Sequence, residues 1–200
     1  MHVWYAAYGS NLNRARFDVY LKGGRPRGTT HEYPGCRDTS DPSDVVACDI
    51  GAELAFGGTS VTWGGGVAFL SPGDDVTKAR LYLVTLEQVA DVVAQENWLD
   101  PGAVTLPEPS SDEMIVLEGQ MYGTVFPLAP RDGVPVLALT QTGEVSPAPP
   151  SAPYLAHIAD GLRDAHRMSD DDIVAYLSPK RGVRGFMSSA DVRAAVVMPN

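Results

Sequence analysis

The chain has 200 residues, of which 44% are hydrophobic, and a formal net charge of −10. This length predicts a single domain with a buried core, and the acidic charge argues against binding to nucleic acid or to an anionic membrane surface. No apolar run is long enough to span a membrane and no basic leader precedes the first strand, so we expect a cytoplasmic protein. Two cysteines, Cys36 and Cys48, are too few for a disulfide framework and are expected to be free thiols.

The first predicted element is a strand at residues 2–8, which are rich in aromatic and β-branched side chains. A helix is predicted at about residues 12–21, and the glycine pair at 23–24 ends it. Residues 25–44 are rich in proline and glycine and are predicted to form a loop. A loop of this length in a compact domain indicates a position near the functional site.

The turn between this strand and this helix is a candidate binding segment. Ser10 or Asn11 can cap the helix by accepting a hydrogen bond from a backbone N–H of its first turn. Gly9 has no Cβ, so a ligand can approach the backbone there. Free N–H donors at the positive end of a helix dipole favour a carboxylate or another small anion. The local pattern by itself is more typical of an ordinary strand-to-helix turn.

The middle of the chain predicts a series of strands interrupted by one helix. The helix is expected at about residues 85–97, because Thr85 and Gln88 have the spacing of a capping box. A proline-rich loop at 101–113 follows it. Strands are expected at residues 45–56, 67–70, 79–85, 114–117, 119–127 and 134–140.

The C-terminal part predicts helices and a basic tail. A helix at about 151–167 has one apolar face, and a shorter helix follows it. We assign one domain to residues 1–178 and a tail to residues 179–200. The tail contains Arg181 and Arg184, which either contact an acidic leaving group or belong to a surface cap.

Three motifs in this order resemble those of the gamma-glutamylcyclotransferase family, and they cover most of the chain up to about residue 165. The first motif is Tyr8-Gly9-Ser10-Asn11-Leu12. The second consists of residues 62–68, 71–75 and 79–82 followed by the helix that ends with Gln95-Glu96. The third is the proline-rich segment 148–154, which leads into the late helix. The resemblance implies an α+β fold, a small mixed β-barrel flanked by helices, with one cavity that holds the substrate.

Glu96 occupies an unexpected position on the predicted helix. Glu87, Asp91 and Gln95 follow one another at intervals of four and predict a solvated face. Glu96 instead comes three residues after Val93, on the apolar side, where a carboxylate is costly unless it is paired or functional. The alternative is that the helix frays before Glu96 and the side chain turns into water.

Burial and the negative end of the helix dipole are both expected to raise the pKa of Glu96, which makes it a better proton acceptor near neutral pH. By the family resemblance, the catalytic glutamate falls on Glu96. The family usually has glycine at the next position, where this chain has Asn97. Asparagine also tolerates the left-handed conformation that stops a helix.

The reaction implied by the resemblance is cyclisation of a γ-glutamyl amide or peptide to 5-oxoproline, with release of the amine and with no cofactor and no metal. Glu96 would act as the general acid and base. The glutamyl group would be bound by the N-terminal turn through its backbone amides. The substrate-binding residues implied in this way are Tyr5, Ala6, Ala7, Tyr8, Gly9, Ser10, Asn11 and Tyr154.

Other classes of function have weaker support. The four histidines lack the spacing of zinc ligands, and His157 is expected on a solvated helix face with Asp160. Neither Ser10 nor the cysteines lie in the motif of a hydrolase nucleophile. A non-catalytic binding protein on the same fold stays open, because a fold does not fix a function. So does a cyclotransferase that acts on a γ-glutamyl amine of a biosynthetic pathway.

Overall fold

A computed structural model describes residues 1–110, 113–117 and 122–198. It contains six strands, one short 3-10 helix and five α-helices within these ranges. In chain order the elements are β1 (His2–Ala7), the 3-10 helix (Ser10–Leu12), α1 (Arg14–Lys22), β2 (Asp44–Ser60), β3 (Gly65–Thr85), α2 (Leu86–Glu96), β4 (Ile115–Val116), β5 (Thr124–Arg131), β6 (Val134–Thr140), α3 (Ala152–His166), α4 (Asp170–Leu177) and α5 (Ser189–Val196).

The strands form one mixed sheet in the order β2-β3-β1-β6-β5-β4. The N-terminal strand β1 is central, antiparallel to β3 and parallel to β6. The predicted α+β class is therefore confirmed, but the predicted barrel is not closed in the part of the chain described. β4 pairs with β5 over two residues and β2 pairs with β3, so β4 and β2 remain sheet edges.

The sheet is curled although it is open. Thr140, at the end of β6, donates a hydrogen bond from its hydroxyl to the carbonyl of Leu70 at 2.8 Å and accepts one from the Leu70 N–H at 3.0 Å. These two hydrogen bonds hold the first half of β3 against the end of β6. The curl brings residues of β3, such as Ala68, towards the turn that follows β1.

β3 is one continuous strand, so the prediction of separate strands at 67–70 and 79–85 is wrong. The register of the β2–β3 pair shifts between Gly51 and Glu53, whose partners are Val76 and Ser71. The Ser71-Pro72-Gly73 sequence between the two predicted strands therefore lies at a β-bulge, which accommodates extra residues without ending the pairing. Such a bulge and a turn have the same local composition.

Two hydrophobic clusters cover the two faces of the sheet. One contains residues of α3, α4 and α5, and the other contains residues of α1 and α2. Val192, Ala195 and Val196 of α5 are fully buried in the first cluster. The domain boundary at residue 178 stays a prediction, but the segment after it contributes to this core. Among the described residues, no helix combines the length and apolarity needed to cross a membrane.

The polar stripe of α2 is covered at two of its three residues, which corrects the prediction of a solvated face there. Glu87 is exposed, whereas Asp91 and Gln95 are buried. The loop at 25–44 packs on these side chains: the Gly35 N–H donates to Gln95 Oε1 at 3.2 Å, and Asp91 accepts from the same loop. Loop carbonyl and amide groups thus supply the partners that water would supply on an open face.

Candidate functional site

Two adjoining cavities lie between the N-terminal turn, the end of α2 and the start of α3. The inner cavity is lined by the turn after β1, and the outer cavity opens between α1 and the tip of the β2–β3 hairpin. Both cavities are lined by Ser10, Glu96, Tyr122 and Tyr154. Glu96 therefore lies where the two cavities meet.

Glu96 reaches this position because α2 has a well-defined start and an uninterrupted length. The Thr85–Gln88 capping box forms as predicted, and the helix continues to Glu96 without fraying. Asn11 donates from Nδ2 to Glu96 Oε1 at 3.4 Å and to the Tyr5 hydroxyl at 3.2 Å. The carboxylate is thus attached to the turn that carries the first sequence motif.

The charge of Glu96 is set by opposing effects. Burial raises the pKa of Glu96 above its ordinary value, and this is the largest effect. The Arg16 guanidinium, the Tyr20 hydroxyl and the Asn11 amide each lower it, because each favours the ionised carboxylate. The net direction is upward, which is the direction that suits a general base near neutral pH.

The left-handed residue at the end of α2 is Trp98, and not Asn97 as the sequence suggests. Asn97 has φ −105° and ψ 17°, and Trp98 has φ +62° instead. The Asn97 side chain donates to the carbonyl of Tyr122 at 3.2 Å and accepts from its N–H at 3.1 Å. Glycine could not form these bonds, which place Tyr122 beside Glu96 at the end of the helix.

The N-terminal turn is built differently from the prediction. Residues 10–12 form a 3-10 turn, and the cap of α1 is Asn13, whose side chain accepts from the Arg16 N–H at 3.2 Å. Ser10 and Asn11 do not cap α1, because the extra turn moves the helix start to Arg14. The Leu12 N–H donates to the Gly9 carbonyl at 3.0 Å, so this donor is used within the turn.

Most of the predicted binding residues share the inner cavity, and their roles stay predictions. Its lining includes Tyr5, Tyr8, Gly9, Ser10, Asn11, Glu96 and Tyr154. Ala6 and Ala7 line neither cavity. They pair with Leu81 and Arg80 of β3, and their side chains are buried in the two opposite hydrophobic clusters.

Gly9 makes room for a side chain of the protein itself. A Cβ on Gly9 would lie 2.9 Å from the Tyr154 hydroxyl oxygen and 3.2 Å from the Ala68 Cβ. The Tyr154 hydroxyl in turn accepts a hydrogen bond from the Ala68 N–H at 3.0 Å. The close approach that glycine permits is therefore an approach of Tyr154, which lies in the first turn of α3.

Arg16 is a site residue that the sequence reasoning missed. Its side chain is 3% exposed and lines the outer cavity, with the guanidinium 4.2 Å from the Tyr20 ring centroid and 4.7 Å from that of Tyr33. Nη2 donates to the Tyr33 hydroxyl at 3.1 Å, whereas Nε and Nη1 have no partner among the described residues. A sequence signal does exist: Arg16 falls four residues before buried Tyr20, on the inner face of α1.

The outer wall of the outer cavity is the hairpin between β2 and β3. Trp63 at its tip packs on Tyr154, with ring centroids 5.4 Å apart, and on His157, at 5.1 Å. His157 is buried and its Nε2 lies 3.1 Å from the Arg27 carbonyl oxygen, so the prediction of a solvated His157 is wrong. The reason is again the loop at 25–44, which covers this part of α3.

The basic residues of the C-terminal segment lie elsewhere. Arg181 forms an ion pair with Glu53 at 3.9 Å, and neither Arg181 nor Arg184 lines the two cavities around Glu96. Lys180 pairs with Asp75 at 2.7 Å on the same side of the hairpin. These contacts support packing of the C-terminal segment on the β2–β3 hairpin.

Comparison with known proteins gives one curated relative. No protein-family model matches the chain. The chain is 34% identical over 198 residues to histone deacetylase 5 of Arabidopsis thaliana, an alignment that covers 88% of this chain and 30% of the plant protein. The chain thus spans less than a third of this relative, whose name describes the whole protein. The described residues include no group of three or more His, Cys, Asp or Glu side chains suited to hold a metal ion.

Solved structures resemble the chain over nearly its full length. A gamma-glutamyl cyclotransferase has a TM-score of 0.55 and 18% identity, with 98% of both chains covered. An uncharacterized protein from Homo sapiens has a TM-score of 0.53 and 20% identity, over 97% of this chain and 98% of that one. YkqA from Bacillus subtilis has a TM-score of 0.56 and 15% identity, over 94% of this chain and 56% of that one. At these identities the likeness concerns the fold alone, and it confirms the fold implied by the three sequence motifs.

Proposed function

We propose that this chain, which has the gamma-glutamyl cyclotransferase-like fold, converts a γ-glutamyl amide or peptide into 5-oxoproline and a free amine. Glu96 is the general acid and base of the reaction. The observation that carries the proposal is the position of Glu96, a carboxylate with a raised pKa at the junction of two cavities and bonded to the Tyr8–Leu12 motif through Asn11.

The two cavities correspond to the two parts of such a substrate. The inner cavity takes the γ-glutamyl group, and the outer cavity takes the amine or amino acid that leaves. The scissile amide bond then lies at their junction, beside Glu96. Holding the glutamyl arm folded brings its amine to its own γ-carbonyl, and orientation of this kind contributes about 7–11 kcal/mol to lowering a barrier.

The chemistry needs one residue that both takes and returns a proton. The α-ammonium of the substrate gives a proton to the Glu96 carboxylate, and the free amine nitrogen attacks the γ-carbonyl carbon. The new C–N bond closes the five-membered ring. The C–N bond to the leaving group then breaks as Glu96 returns its proton to the departing nitrogen. The ring nitrogen still carries one proton more than the lactam needs and gives it to the released amine, which departs as an ammonium ion. No water is consumed, and the proton count is the same at the end as at the start.

Arg16 supplies positive charge for an anionic substrate in a chain that is acidic overall. The net charge of −10 repels carboxylates at long range. Inside the outer cavity, the buried Arg16 guanidinium supplies a local positive charge, and it also favours the ionised form of Glu96. The site therefore needs no basic surface patch to accept a substrate that carries carboxylates.

The test is release of 5-oxoproline from a panel of γ-glutamyl dipeptides, glutathione and γ-glutamyl amines. We expect turnover of at least one compound by the wild-type chain, and a loss of about 10²–10⁴-fold in Glu96→Gln. Glu87→Gln is the matched control, because Glu87 lies exposed on the same helix, outside both cavities. It should leave turnover unchanged.

Two results would contradict the proposal. Full activity of Glu96→Gln removes Glu96 from the mechanism. Absence of turnover for the whole panel, with 5-oxoproline still bound in calorimetry, favours a binding protein on this fold. If the chain turns over several members of the panel, a higher rate with γ-glutamyl amines than with dipeptides would indicate that amines are its substrates.

A further inference from the structure

The Tyr154 hydroxyl is held in a defined orientation beside Glu96. Its oxygen accepts a hydrogen bond from the Ala68 N–H at 3.0 Å. A phenol oxygen has one proton to donate and can accept from two donors. The oxygen thus acts as an acceptor towards the backbone, and because Tyr154 lines both cavities, its proton is available to a ligand there.

Two neighbouring tyrosines of the site donate their protons to backbone carbonyls. Tyr8 donates to the Leu139 carbonyl, and Tyr122 donates to the Ala68 carbonyl at 3.3 Å. Tyr5 accepts from Asn11, and nothing described fixes the direction of its own proton. No described residue accepts the Tyr154 proton, although the Tyr154 side chain is 2% exposed. A buried donor without an acceptor is costly, so this proton is suited to a ligand.

We propose that Tyr154 is a catalytic residue that donates a hydrogen bond to the oxyanion formed on the γ-carbonyl oxygen during ring closure. This role rests on the proposed function. As the amine nitrogen bonds to the γ-carbon, the π-electron pair of the carbonyl moves to its oxygen, which accepts the hydrogen bond from Tyr154. When the carbonyl re-forms, the bond to the leaving nitrogen breaks and Glu96 protonates that nitrogen. Tyr154 keeps its own proton throughout.

The surroundings of Tyr154 favour this role. Burial raises the pKa of Tyr154 to about 12, so the hydroxyl remains protonated and available as a donor at neutral pH. The ring is packed between Phe56, at a centroid distance of 6.4 Å, and Trp63, at 5.4 Å. A donor fixed in this way needs no reorganisation when charge develops on the substrate, which is the basis of oxyanion stabilisation.

The direct test is Tyr154→Phe, assayed with the best substrate of the panel. Loss of an oxyanion donor lowers kcat by about 10²–10³-fold, and we expect this fall with KM nearly unchanged. Tyr176→Phe is the matched control. The Tyr176 hydroxyl also accepts from a backbone N–H, that of Lys78 at 3.0 Å, but it lies outside both cavities. A purely structural role of the hydroxyl would affect the two variants alike, in melting temperature and not in kcat.

Gly9→Ala provides an independent second variant. The added Cβ would lie 2.9 Å from the Tyr154 hydroxyl and would displace it from its position while leaving the phenol intact. We expect kcat to fall in this variant as well, with no further fall in the double variant Gly9→Ala/Tyr154→Phe. Such non-additivity indicates that both changes act through one group.

The outcomes separate this proposal from the proposed function. An active wild type with Tyr154→Phe retaining its kcat overturns the oxyanion role and leaves the cyclotransferase in place. A Tyr154→Phe variant that raises KM alone also overturns it, since that pattern indicates uniform binding of substrate and transition state. A wild type that turns over no panel member overturns both proposals.

Discussion

Asn11 Nδ2 lies 3.4 Å from Glu96 Oε1, and this contact joins two segments that are 85 residues apart in the chain. One is the turn after the central strand β1, and the other is the C-terminal end of α2. The same amide donates to the Tyr5 hydroxyl at 3.2 Å, which fixes its orientation. Because a donor to a carboxylate stabilises the ionised form, Asn11 influences when Glu96 can act as a base.

The first prediction concerns the pH dependence of the wild-type chain. The pKa of Glu96 is raised above its ordinary value of 4.5, and a general base acts only when it is ionised. On the acid side of the profile, kcat/KM should therefore decrease as the pH is lowered, with a midpoint above pH 4.5. The measurement is a kcat/KM profile for 5-oxoproline release. An acid limb at or below that ordinary value would show that the active base is a different, exposed carboxylate.

The second prediction is that Asn11→Asp moves this acid limb to higher pH, by about one unit or more. The substitution replaces a hydrogen-bond donor by a second carboxylate within reach of Glu96. Like charges in a buried site cannot both ionise easily, so the pair takes up its first proton at higher pH. At neutral pH, kcat/KM should fall, and raising the pH should restore part of it.

Asn11→Ala separates the charge from the lost hydrogen bond. It removes the donor to Glu96 without adding a carboxylate, so it should shift the acid limb in the same direction but by less. The two variants would contradict the argument if their profiles coincided, or if the alanine variant had the larger shift. A melting temperature measured at neutral pH for each variant checks that the fold is retained.

The sequence predicts those features of the site that depend on local chemistry. The Thr85–Gln88 capping box sets the start of α2, and the helical period places Glu96 on the side opposite Glu87. These two local patterns are enough to predict a carboxylate on the inner side of a well-capped helix. The strand β1 is predictable for the same reason, because aromatic and β-branched residues lie next to one another there. The 3-10 turn that follows it, which moves the cap of α1 to Asn13, is not predicted by the local pattern.

Features that depend on residues distant in the chain are not predictable from local patterns. Asp91 and Gln95 have the spacing of a solvated face, but the loop at 25–44, some 50 to 60 residues earlier, and Gly102 after the helix cover that face. Arg16 is easily overlooked because arginine in a short helix is usually exposed. Gly9 and Tyr154 are in contact, and the curled sheet brings Ala68 of β3 beside both of them.

The third prediction concerns Asp91, the buried carboxylate on the covered face of α2. Its Oδ2 accepts from the Arg37 N–H at 2.9 Å and its Oδ1 from the Gly102 N–H at 2.8 Å, so it connects both flanking loops to the helix. In Asp91→Asn, the amide NH₂ would face one of these N–H donors and could not accept from it. Since a hydrogen bond to a charged group contributes about 1.5–3 kcal/mol, we expect the free energy of unfolding to fall by about this amount.

Denaturant unfolding of Asp91→Asn beside Glu87→Gln measures this effect, because both variants neutralise one carboxylate on the same helix. Glu87 is exposed, so its variant should stay within about 0.5 kcal/mol of the wild type. Equal losses in the two variants would mean that net charge, and not the loop contacts, determines the stability of this face. Because Asp91 lines neither cavity, the kcat per folded molecule of Asp91→Asn should match that of the wild type. A reduced kcat in fully folded Asp91→Asn would instead mean that the loops it holds also position Glu96.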